Sequence, residues 1–89
     1  MTANQGIEKM KAFARQQPLS RLADSLLLLD AKTSLDEAER LTRAVLMDVI
    51  CEKCPAADAA FDAWAEDLDS EPDAAVAVIV AAVNATIPA

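Results

Sequence analysis

The segment CEKCP at residues 51–55 holds the two cysteines of the chain, at the spacing used by zinc ribbons and thiol oxidoreductases. A structural zinc site takes four ligands, usually Cys or His, and this chain has no histidine and no third cysteine. Carboxylates such as Asp48, Glu52 or Asp58 would have to complete the shell, or two chains would have to share a Cys₄ site. We therefore expect no metal and no cofactor.

The same cysteines are poorly placed for redox chemistry, which favours a thiol at the start of a helix. We expect Cys51 in the last turn of a helix, where the helix dipole and Glu52 both oppose the thiolate. Pro55 suits the first position of the next helix and makes Cys54 its N-cap. Asp58, one turn later, acts against ionisation of Cys54. We interpret CEKCP as a helix junction.

Groups for acid–base or metal chemistry are scarce, since the chain has no His, no Tyr and one Gly. Asp62 and Glu66 are one turn apart, but they lie on a helix face that we expect to be wet, where a carboxylate is poorly suited to acid–base work. The segment 67–73 resembles the start of a calcium loop. It has Pro72 where such a loop needs glycine, and Val78 where it needs a bidentate glutamate. We expect no enzymatic activity.

The charge is unevenly distributed along the chain, whose net charge is −7. Residues 1–53 contain eight bases and eight acids, whereas the chain from Cys54 onward contains seven acids and no base. Binding to a phosphate backbone needs clustered Lys and Arg. The C-terminal third therefore predicts a basic protein partner, or no charged partner, and no nucleic acid.

The composition predicts an all-α fold, a compact bundle of about five short helices in one domain covering residues 1–89. One glycine leaves little material for hairpin turns, and Ala and Leu dominate the apolar residues. Apolar residues at helical spacing predict helices at about 4–17, 19–31, 35–53, 55–68 and 71–84.

Two start signals position the later helices. Ser34, three residues before Glu37, predicts a capping box at the start of the third helix. Ser70, followed by acids and a proline at residues 71–73, predicts the N-cap of the last helix.

We expect no targeting segment and no membrane contact. The start of the chain has no apolar stretch behind a basic end. The longest apolar run, residues 74–83, is about half the ~20 residues that a bilayer span needs. Two cysteines suit a reducing compartment, so we expect a cytoplasmic protein.

The fourth helix is predicted to be amphipathic. Its apolar side contains Ala57, Phe61, Trp64 and Leu68, and its acidic face contains Asp58, Asp62, Glu66 and Asp69. One interpretation of the acidic face is a solvated surface. The other is that carboxylates about 5–6 Å apart imitate nucleic acid to a basic protein. Trp64 is expected in the core.

Self-association is predicted from two helices that are apolar on most sides. They are the last helix and the second half of the third, residues 44–51, and the four consecutive leucines at residues 26–29 of the second helix support the same inference. A chain of this size has difficulty surrounding one of its own helices, and uncovered apolar surface costs about 25 cal/mol per Å². We expect a homodimer or an obligate partner, with Met47, Ile79, Val80 and Val83 at the contact.

These patterns favour a small acidic helical protein-interaction module. It would act as a regulator or inhibitor that binds a protein partner through an apolar surface bordered by the acidic face. The alternative is a dimeric DNA-binding transcriptional regulator that presents Arg40 and Arg43 on the third helix. The net charge of −7 and the lack of a basic cluster argue against that alternative.

Overall fold

Helix is the regular secondary structure of the part of the chain that the structure describes. The structure is a computed structural model describing residues 3–69 and 71–86, and within these ranges it contains five α-helices, one 3₁₀ helix and no strand. The α-helices are α1 (Ala3–Arg15), α2 (Leu19–Asp30), α3 (Glu37–Lys53), α4 (Pro55–Glu66) and α5 (Ala75–Thr86), with the 3₁₀ helix at Pro72–Ala74. The predicted compact all-α fold is confirmed, with a Cα radius of gyration of 13.1 Å. No helix within the described ranges is both long enough and apolar enough to span a bilayer.

Proline sets the boundary between α1 and α2. After Arg15 the chain tightens into a turn in which the Gln16 amide donates to the Phe13 carbonyl at 3.1 Å. Pro18 then occupies the N-cap of α2 in an extended conformation, where its missing N–H costs nothing. The first helix therefore ends two residues before the predicted Gln17.

The start of α3 differs from the prediction by two residues. Asp36, and not Ser34, is the N-cap: its carboxylate accepts from the Glu39 amide at 2.7 Å. The Glu39 carboxylate in turn accepts from the Asp36 amide at 3.2 Å, which completes the capping box. Asp36 and Glu39 repeat the spacing of Ser34 and Glu37, and Asp is as strong an N-cap as Ser, so the local pattern alone did not select the right pair.

Helix α3 is at the centre of the fold, since it packs against α1, α2, α4 and α5. Its Val49 and Ile50 side chains have no exposed surface. The largest fully buried side chains are Leu26, Ile50, Ile79, Val49, Val76, Val83 and Cys54. No polar or charged residue of the described ranges is buried, so the core depends on apolar packing alone.

The covering of α5 corrects the argument for self-association. Ile79 and Val83 are 0% exposed and Val80 is 6% exposed, all within a single chain. They are covered because α5 packs against α2, α3 and α4. The exposed positions of α5 include Ala77 and Ala81, whose side chains are single methyl groups. These side chains therefore need no second chain.

The end of α4 also differs from the prediction. The helix stops at Glu66, and the Asp67 side chain accepts from the Asp69 amide at 3.0 Å in the following turn. Leu68 is therefore 100% exposed, not on the apolar side of α4. Trp64 is half-buried, and its indole N–H donates to the Glu71 carbonyl at 2.9 Å. The predicted N-cap at residue 70 lies outside the described residues.

Replacing Asp36 tests the observed capping box. Asp36→Ala should lower the free energy of unfolding by about 1 kcal/mol, because the Glu39 amide in the first turn of α3 loses its partner. Ser34→Ala is the matched control and should change it by less than about 0.5 kcal/mol. Urea denaturation followed by circular dichroism measures both. A larger effect at Ser34 than at Asp36 would restore the box predicted from the sequence.

Replacing Ile79 tests whether one chain buries α5. Ile79→Ala should destabilise the fold by about 2–5 kcal/mol, because it leaves a cavity in a closed core. Leu68→Ala, at a fully exposed leucine, should change stability by less than about 0.5 kcal/mol. Thermal and urea unfolding compare the two. Equal effects would contradict the observed burial.

Candidate functional site

A groove beside α3 brings together the Cys51 thiol, apolar side chains and several charged side chains. It has a volume of about 560 Å³ and is lined by residues of α1, α3, α4 and α5. Its apolar lining is Met47, Cys51, Phe61 and Ile79, with Ala44 beside them, and its charged lining is Asp48, Glu52, Asp58, Asp62 and Lys11. We call this surface the acidic groove.

The CEKCP junction creates the acidic groove by turning the chain within one residue. The Cys54 amide donates to the Ile50 carbonyl at 2.8 Å and ends α3. The Cys54 carbonyl accepts from the amides of Ala57 at 3.0 Å and Asp58 at 3.1 Å and begins α4. Because Pro55 needs no partner for its nitrogen, the two helices meet without a loop. This sets Asp58 of α4 beside Cys51 of α3.

The carboxylates of α3 in the groove are paired with cations from α1. Asp48 lies 3.7 Å from the Lys11 ammonium. Glu52 forms a bidentate pair with Arg15, at 2.9 Å and 3.1 Å. The hydrogen bond from Arg15 lowers the pKa of the Glu52 carboxyl below its usual value. The α3 edge of the groove is therefore close to neutral.

The carboxylates of α4 have no such partners. Within the described ranges, no Lys or Arg nitrogen lies within 4.0 Å of Asp58 or Asp62. Both side chains are exposed. The chain has no Lys or Arg after Lys53, so the carboxylates of α4 have no basic residue in the same part of the sequence to pair with. The α4 edge therefore carries the negative field of the groove.

The Cys51 thiol lies between these edges and is half-buried. Burial raises its pKa above the ordinary value, and the nearby carboxylates of Asp58, Asp48 and Asp62 raise it further. The thiol is therefore protonated at neutral pH and is a poor nucleophile.

The second cysteine is closed to solvent. Cys54 is 1% exposed and lies 3.7 Å from the Thr86 hydroxyl. Both cysteines are free. In this fold Cys54 cannot reach a metal shared with a second chain, so the two-chain Cys₄ site does not fit. Among the described residues no three His, Cys, Asp or Glu side chains are grouped so that they could hold a metal ion.

The predicted acidic face is divided by the end of α4. Asp58, Asp62 and Glu66 are exposed on the helix at one-turn spacing, whereas Asp69 lies beyond the helix in the following turn. Of the four residues predicted for the acidic face, only Asp58 and Asp62 line the acidic groove. Asp69 is thus not on the α4 face, contrary to the prediction.

The predicted self-association residues lie in two places. Met47 is half-buried and lines the acidic groove together with Ile79. Val80 and Val83 are core residues. Lys11 was not predicted as part of a site, and Asp48 and Glu52 were considered only as carboxylates that could complete a zinc shell. The i, i+4 spacing of Asp48 and Glu52 is the signal that places them on one face of α3.

The arginines of the DNA-binding alternative do not form a basic cluster. Arg43 lies 3.7 Å from the Asp30 carboxylate. Arg40 is exposed, and the first turn of α3 contains Glu37 and Glu39. The alternative remains a prediction that none of these contacts favours.

Comparison of the chain with protein-family models, with curated proteins and with solved structures finds no match. A functional assignment therefore depends on the geometry of the acidic groove.

The pKa of the Cys51 thiol tests whether the carboxylates of the acidic groove act on it. In a Cys54→Ala background, its pKa should lie above the ordinary 9.0, because burial and carboxylates both disfavour the thiolate. Adding Asp58→Asn and Asp62→Asn should lower that pKa and speed reaction with a disulfide reagent at fixed pH. Glu8→Gln with Glu37→Gln is the control, with the same change of charge outside the groove. A pKa that is the same in all three proteins would show that these carboxylates do not act on the thiol.

Proposed function

We propose that this protein is an interaction module that binds a protein partner through the acidic groove and regulates or inhibits that partner by covering a basic surface. The observation that carries the proposal is the pair of exposed, unpartnered carboxylates of Asp58 and Asp62 beside apolar side chains. The groove supports the proposal because its apolar side chains lie beside these acids.

The groove fits an amphipathic basic segment. Lys and Arg side chains pack their aliphatic stems on apolar surface while their charged ends bind carboxylates. Met47, Cys51 and Phe61 supply the apolar surface, and the α4 edge supplies the carboxylates. A volume of about 560 Å³ accommodates a few side chains, not a whole domain. The negative field would also speed encounter with a basic surface.

Imitation of nucleic acid is a form of inhibition that the α4 carboxylates could support. Asp58, Asp62 and Glu66 follow each other at one-turn spacing, which separates neighbouring side chains by about 5–6 Å. A basic protein that binds phosphates could accept this row instead. The same charges would repel a nucleic acid, so we propose no direct nucleic-acid partner.

The remaining parts of the proposal follow from the cysteines and the exposed apolar residues. The protein is proposed to be non-enzymatic, because the Cys51 thiol has a raised pKa and Asp58 and Asp62 are solvated. Two free thiols suit a reducing cytoplasm. Self-association is also proposed, because Phe13 and Leu28 remain 67% and 73% exposed.

A peptide titration tests binding at the groove. The probe is a synthetic amphipathic helix with Arg and Leu at one-turn spacing, added to ¹⁵N-labelled protein at low salt. Amide shifts should concentrate at Met47, Cys51 and Phe61. Asp58→Asn with Asp62→Asn should weaken binding several-fold, because the unpaired charges are lost. Glu8→Gln with Glu37→Gln should leave it nearly unchanged.

Two results would contradict binding at the acidic groove. Equal weakening in both double variants would show a response to net charge only, and shifts outside the groove would assign the contact elsewhere. The same proteins can then serve as baits in the native host. A true partner is retained by the wild type and the control and is lost by the Asp58 and Asp62 double variant.

A further inference from the structure

A second groove lies on another side of α3, between α1, α2 and α3. Its volume is about 510 Å³, and its apolar lining includes Met10, Phe13, Leu22, Val45 and Leu46. Phe13 is 67% exposed although its neighbours Leu22 and Val45 are buried. The groove therefore presents uncovered apolar surface next to the closed core.

A protruding leucine lies next to this groove. Leu28 is 73% exposed on α2. Arg21 and Ser25 line the groove, and Leu28 follows them by seven and three residues, so it lies on the same side of α2. The molecule thus has an apolar projection and an apolar recess along one helix face.

The charges on this face allow two copies to meet. Arg21 and Asp24 are both exposed, and within the described ranges neither takes part in an ion pair. They have opposite signs and lie three residues apart. Arg21 is the charged residue of the groove lining, and Asp24 lies about one turn further along α2. Two antiparallel α2 helices can therefore set Arg21 of each copy against Asp24 of the other.

The acidic groove could not serve the same purpose. An isologous contact through α4 would bring the unpaired carboxylates of Asp58 and Asp62 against those of the second copy, and like charges at close range repel. Of the two grooves, only the one beside Phe13 suits a second copy.

We propose that this face is the contact between two copies of the chain, related by a two-fold axis, with antiparallel α2 helices and Leu28 of each copy in the groove of the other. The inference rests on the proposed self-association and names its surface. Leu28 lies four residues after Asp24, and Gln17 lies four residues before Arg21. A register that sets Arg21 opposite Asp24 of the second copy therefore brings Leu28 to the start of the other copy's α2, where Gln17, just before that helix, lines the groove.

Sedimentation equilibrium of the full chain tests the surface. Leu28→Glu should raise the dimer dissociation constant about ten-fold or more, because it puts a charge in place of a leucine that the proposed contact buries. Leu28 is 73% exposed in the single chain, so the variant should keep the wild-type circular dichroism spectrum. Leu68→Glu is the matched control, the same substitution at a leucine that is 100% exposed and lies outside both grooves. It should leave the dissociation constant unchanged.

Charge reversal tests the register. Arg21→Asp and Asp24→Arg should each weaken the dimer, and the double reversal should restore it, since the pair is rebuilt with exchanged signs. A double variant as weak as the single ones would overturn the antiparallel register. A wild-type dimer that is insensitive to Leu28→Glu would overturn this face as the contact. A 9.5 kDa species at every concentration would overturn self-association itself, and none of these results bears on the acidic groove.

Discussion

The burial of α3 is the constraint on which the rest of the structure depends. Val49 and Ile50 have no exposed surface, and the helix that carries them packs against all four other α-helices. Because Val49 and Ile50 are packed in the core, the neighbouring side chains of α3 lie at the edges of the core and line the surface grooves. Met47 and Cys51 line one groove, and Leu46 lines the other. A single central helix thus determines the core and both candidate binding surfaces.

The order of charges along the chain gives the two grooves different electrostatic characters. Packing of α1 on α3 brings Arg15 to Glu52 and Lys11 to Asp48, which neutralises the α3 edge. Helix α4 packs against α3 and α5, and its own segment contains no base. Within the acidic groove, the negative field therefore comes from the α4 edge, which would attract a basic partner.

Several local features could be predicted from the sequence because neighbouring residues decide them. Pro18 and Pro55 fix helix boundaries through their missing N–H, whatever lies around them. Prediction failed where two local patterns compete, as at the start of α3, where Asp36 replaces Ser34 as the N-cap. It also failed at Leu68, whose helical spacing continues past the point where α4 ends.

The sequence by itself determined that the chain is helical and that its net negative charge lies after Lys53, because periodicity and the order of charges are read directly from the residues. Only the tertiary structure decided which apolar side chains are covered: Ile79 and Val83 are closed by their own chain, while Leu28 is left exposed. It also decided which carboxylates are paired. The Arg15–Glu52 pair joins residues 37 positions apart, and such a distance is set by how the helices pack and not by any local pattern.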